Sequence, residues 1–169
     1  MMDASAPFED AVAGYAPPHE HRPLGAYAGL SAAFGAAFGG ALVALQAGGR
    51  ELPERPSPGD IALAGIATHK VTRLLAKDKV TSFIRAPFTR YQEPAGHGEL
   101  EEAARGTGAR LAIGELLVCP YCLAQWVAAG FAVGLVAAPR ATRFIAGMYA
   151  AETVSDFLQL AYKAAEDRA

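Results

Sequence analysis

The chain is poor in cysteine, tryptophan and charge, and these shortages remove whole classes of function. Two cysteines among 169 residues cannot build a disulfide framework, and alone they cannot complete a four-thiolate zinc site. Lysine and arginine number 15 against 17 acids, a net charge of -2. Nucleic-acid binding needs a clearly basic domain or face, so no nucleic-acid partner is expected. Residues 1 to 20 carry acids and prolines rather than a basic run before an apolar core, so a cleavable signal peptide is not expected. Charge is wholly missing from residues 23–49 and again from Leu116 to Pro139. In its place the chain is 52% hydrophobic and 19% charged, with a mean hydropathy of +0.17, at the apolar edge of soluble composition.

Residues 1–22 contain Pro7, Pro17 and Pro18 and no sustained apolar period, and read as a disordered tail. Residues 23–49 are long enough to cross a hydrocarbon core of roughly 30 Å at about 1.5 Å per residue. Ser31, Gly35 and Gly39, beside Ala32, Ala36 and Gly40, form small-residue lines along which a partner helix or a second copy could pack closely. After the proline-bearing loop 48–59, Asp60 is a plausible N-cap for a second helix near Ile61 to Lys77, which ends in His69, Lys70, Arg73 and Lys77 and reads as tilted or partly inserted. Residues 77–110 form a polar connector too long for an idle turn. A third helix is expected from Leu111 to Ala138 and a fourth from Thr142 to Ala165.

The fourth helix carries Glu152 and Asp156. Its strong apolar residues favour insertion by roughly 2 to 4 kcal/mol, whereas two acids near mid-depth cost about 5 to 7 kcal/mol. It therefore needs a partner that supplies positive charge. Lysine and arginine are concentrated in the tail, the connector and the C-terminus, which by the positive-inside rule places both termini and the connector in the cytoplasm of a bacterial cell. Helices two and four then run in the same direction. Arg73 follows Asp60 by as many residues as Asp156 follows Arg143, so the expected pairs are Arg73 with Asp156 and His69 with Glu152. Ion pairing that permits insertion is the first reading of this set, ahead of a proton or substrate path. Arg85 and Arg90, interleaved with Phe83, Phe88 and Tyr91, read as contacts to anionic lipid headgroups.

Cys119 and Cys122 stand in Cys-Pro-Tyr-Cys, the lettering of glutaredoxins, where a thiolate at a helix N-terminus has a resolving partner one turn on. No alternation of strands and helices surrounds them, so a thioredoxin-like fold is not expected. Four readings stand: a half-buried pair packing a helix start, which is preferred; a membrane thiol–disulfide pair like those of small four-helix quinone-linked oxidoreductases; a zinc site completed by His97 or His69; and a glutaredoxin-like site. A cytoplasmic position argues against a standing disulfide. Glu115, one turn before Cys119, could cap the helix, bond the connector or accept a thiol proton, and Trp126 fits core packing or an interface.

The order RLLAKDKVTSFIRAPF, then RGTGARLAIGELLVCPYCLAQWV, then an apolar helix pair, resembles DUF1360, a family of uncharacterised bacterial membrane proteins with sporulation-associated members. The resemblance covers roughly Asp60 to Ala161. Its matching positions are Arg73, Asp78, Lys79, Arg85, Pro87, Phe88, Gly106, Gly108, Gly114, Glu115, Cys119, Cys122 and Trp126. It implies an integral membrane protein and no known reaction. The expectation is thus an all-α transmembrane bundle of three to four helices with a long cytoplasmic connector, divided into a tail at 1–22, an additional transmembrane helix at 23–49 and a helical membrane core at 60–165. A structural or accessory role with the lipid bilayer as partner, and with no cofactor, is favoured. A thiol–disulfide oxidoreductase using Cys119 and Cys122, with Glu115 as a further candidate, and a zinc-binding protein are the alternatives.

Overall fold

A computed structural model describes residues 11–168, with 13, 18 and 21 excepted; most of the expected disordered tail lies outside the described residues. The elements are α1 (Leu24–Ala47), α2 (Pro58–Ala76), α3 (Ser82–Arg85), β1 (Thr89–Gly96), β2 (Glu99–Ala104), α4 (Gly108–Val118), α5 (Pro120–Ala137) and α6 (Pro139–Glu166). The molecule is mostly helical but not all-α, because the connector folds into an antiparallel hairpin. Thr89 pairs with Ala104 and Gly96 with Glu99, with irregularities between Tyr91 and Glu93 and between Pro94 and Gly96. Gly96, His97 and Gly98 turn the chain with φ of 82°, 49° and 81°, a left-handed run that glycine makes cheap.

Two helix boundaries differ from expectation, each because of proline. Ser57 rather than Asp60 caps α2: Ser57 Oγ accepts from the Asp60 amide at 3.3 Å, and Pro58 occupies the first turn, where its missing N–H costs nothing. The third helix is two helices. Pro120 disfavours the helical conformation of the residue before it, and Cys119 accordingly adopts φ -105° and ψ 101° between α4 and α5.

α2 packs against α5 and α6. The contact is made by small side chains: Ala67, Thr68, Thr72 and Ala76 of α2 and Ala146 and Thr153 of α6 are buried. At Gly134 of α5 a Cβ would lie 2.7 Å from Thr142 Oγ1, so that crossing tolerates only glycine. Phe144, Ile145, Met148, Val154, Phe157 and Leu158 of α6 face outward and are exposed. This is the reverse of water-soluble packing, and close approach through small residues is how helices associate in lipid.

α1 and α5 are each long and apolar enough to cross a membrane. α1 buries none of its residues and leans on α4 and α5 alone among the stronger contacts. Outside the neighbouring turns of α1 itself, nothing among the described residues comes within 4 Å of a Cβ built at Gly35, Gly39 or Gly40, so these three glycines are not used for packing within the chain.

Candidate functional site

The residues singled out by sequence fall into two places, a polar cap around the hairpin and a groove around the cysteines. The cap is built on Arg85, whose side chain is 0% exposed. Its Nη1 donates to the Leu75 carbonyl and to Thr81 Oγ1, both at 2.9 Å, and its Nη2 to the Asp78 carbonyl at 3.0 Å. Its Nε donates to Glu102 on β2, itself 5% exposed, and Thr89 Oγ1 holds the other carboxylate oxygen at 3.0 Å. One guanidinium thus ties the end of α2, the turn after it and the hairpin together. The expected lipid contact of Arg85 is wrong: its donors are consumed by backbone carbonyls and a buried carboxylate. Arg90 is exposed.

The neighbouring motif residues complete the cap. Asp78 Oδ1 accepts from the Val80 amide at 2.7 Å, and the Lys79 amide donates to the Gly98 carbonyl at 2.9 Å. Arg105 donates to the Ala86 carbonyl at 2.8 Å, and Arg110 Nε to that of Pro87 at 3.0 Å. Gly114 lets α4 rest on this turn, since a Cβ there would stand 2.6 Å from the Phe88 carbonyl oxygen.

The expected pairing of α2 with α6 exists with a different base. Lys70 Nζ lies 2.7 Å from Asp156 and 3.2 Å from Glu152, whereas Arg73 turns to Glu99, with Nε 2.9 Å from Oε1. Lys77 continues the row to Glu101 at 2.8 Å. Residues 70, 73 and 77 share one helical face, so α2 grips α6 with its first cation and the hairpin with the next two. His69 stacks on Phe157 at 6.4 Å rather than meeting Glu152. At the other end Arg143 meets Asp60 through two contacts of 2.8 Å, so α2 and α6 run parallel.

Cys119 and Cys122 lie with their sulfurs within bonding distance and their Cα atoms 5.2 Å apart. Cys119 is the N-cap of α5, its sulfur accepting from the Cys122 amide at 3.1 Å. That position stabilises a thiolate through the helix dipole and the free amides of the first turn. Both cysteines line a groove of about 730 Å³ between α1, α4 and α5, shared with Tyr27, Phe34, Glu115, Gln125 and Trp126. Glu115 accepts from the Tyr27 hydroxyl and lies 3.8 Å from Arg22. The Arg22 guanidinium is held above its ordinary pKa by Tyr27 and then by Glu20. Glu115 caps no helix; it ties α4 to α1. Trp126 meets Phe34 edge to face, ring centroids 5.2 Å apart.

His69 and His97 line a separate groove of about 610 Å³ with Lys70 and Asp156. No group of three or more metal-ligating side chains assembles among the described residues, and the zinc arrangement that needs either histidine beside the thiols does not fit this geometry. Sequence reasoning missed Glu102, Glu99, Tyr27 and Phe34. Glu102 and Glu99 belong to an acidic run whose strand character went unread, and nothing local marks Tyr27 or Phe34 as neighbours of the cysteines.

The family model described as "Protein of unknown function (DUF1360)" matches residues 63–162. Sporulation protein YjcA of Bacillus subtilis (strain 168) is similar, 31% identical over 88 residues that cover 50% of this chain and 75% of the relative. No solved structure matches. The matched segment contains the cap, both cysteines and the α2–α6 contact, and excludes α1. The chain belongs to the DUF1360 family.

Proposed function

We propose that the protein is a multi-pass membrane protein whose working element is the Cys119 and Cys122 pair, acting as a membrane thiol–disulfide site. Outward large apolar side chains over an interior of alanine, threonine and glycine support the bilayer placement of α1, α2, α5 and α6. The cap carries Lys77, Lys79, Arg85, Arg90, Arg105 and Arg110, which supports a cytoplasmic position for it. Thiols there face a reducing pool, and a bonded pair in such a compartment is one that cycles. The observation that carries the redox reading is the placement of both cysteines on one open groove, one helical turn apart, with the Cys119 sulfur capping α5.

A second reading, a structural or accessory role without redox chemistry, is favoured by the use of most motif residues to build the cap around Arg85. The double variant Cys119→Ala, Cys122→Ala separates the two. The redox reading expects the membrane-bound protein to accumulate normally while the deletion phenotype appears, and thiol trapping in cells to show the wild-type pair in both oxidation states. Equal loss of protein and phenotype, or a pair that is always reduced, supports the structural reading instead.

A further inference from the structure

The groove over the thiols is walled by α1, the element outside the family match. Two contacts set the levels along it: Tyr27 meets Glu115 nearest the cap, and Phe34 meets Trp126 farther along. Cys119 and Cys122 line the same groove as this hydrogen-bonded pair and this aromatic pair. The groove opens beside two helices apolar enough to span a membrane, so an oxidant dissolved in lipid can reach the pair. An oxidant of this pair takes two electrons and two protons, and one with a flat face and ring oxygens matches the aromatic rings and the Gln125 amide that line the groove. A volume of about 730 Å³ suits a ring with the start of a tail.

We infer that this groove binds a lipid-soluble quinone and that the quinone oxidises the reduced pair; the inference rests on the redox reading above. In the step each cysteine gives up one proton and one electron, and one sulfur–sulfur bond forms. Both quinone oxygens gain hydrogen, and the ring leaves as a hydroquinone. Glu115, held by Tyr27 and Arg22, is the carboxylate that lines the same groove as the two cysteines.

The test uses full-length protein in lipid nanodiscs, reduced with a phosphine and desalted, then mixed with decylubiquinone, whose fully substituted ring cannot form a thiol adduct. Alkylation mass shifts count the remaining thiols, and absorbance counts hydroquinone. The expected result is one disulfide per hydroquinone. Phe34→Ala and Trp126→Ala are each expected to slow the quinone reaction about tenfold, the loss of one aromatic contact, while oxidation by hydroxyethyl disulfide keeps its rate. An unchanged quinone rate in both variants, or equal slowing with both oxidants, overturns the quinone site. A wild-type pair that hydroxyethyl disulfide oxidises but the quinone does not also overturns it and leaves the redox reading standing; a pair that neither reagent oxidises removes both.

Discussion

The cap and α1 lie on either side of α4 and are built by opposite means. The cap is held by directional contacts that leave almost no freedom: a fully buried guanidinium, a buried carboxylate, and carbonyls taken one by one by Arg85, Arg105 and Arg110. α1 has no buried residue and leans on α4 and α5, with the Tyr27–Glu115 hydrogen bond and the Phe34–Trp126 pair among its contacts. The difference is that the cap is fixed from within by directional bonds, whereas α1 rests on surfaces that other elements present to it.

The comparison breaks most visibly at Arg85. Arg85→Met strands Glu102 without a cation in a site 5% exposed, and is expected to cost about 3 to 5 kcal/mol, read as a lower denaturant midpoint in detergent. The double variant with Glu102→Met should recover much of the loss. Gly114→Ala comes next, because the new methyl meets a backbone oxygen that cannot swing away; overpacking of this kind costs about 1 to 3 kcal/mol, and proteolysis of the hairpin should quicken. Smallest is Phe34→Ala on α1, where the lost edge-to-face contact is worth about 0.5 to 1.5 kcal/mol and hairpin proteolysis should not change. Hairpin cleavage that quickens equally in Phe34→Ala would show that the two regions are not independent.

α1 and α5 were legible because apolar runs and charge gaps mark them directly, and the parallel course of α2 and α6 followed from counting alternate crossings of four helices. The hairpin was not. β1 is Thr-Arg-Tyr-Gln-Glu-Pro-Ala-Gly, with only Thr89 buried, so it shows no alternation, and a proline argues against a strand. The usable signal was the Gly-His-Gly turn. The break at Cys119 was also in plain view, since Pro120 marks it, but Pro120 was read as part of a redox motif rather than as a constraint on the residue before it. Lys70 displaced Arg73 as the partner of Asp156 because residue counting gives depth and not direction around the helix, and Glu99 on the unforeseen strand claims Arg73. Arg85 gave no hint of burial. Half of its side-chain partners are carbonyls, which no sequence pattern displays.

The contact of Lys70 with Asp156 joins residues 86 apart in the chain. At ordinary synthesis speeds of about 5 to 20 residues per second, roughly 4 to 17 seconds pass between the appearance of the lysine and that of its acid. For that interval α2 exists with an unanswered cation on the face that α6 will cover. Until Asp156 is made that contact cannot close, and the order of synthesis thereby sets the order in which these helices join.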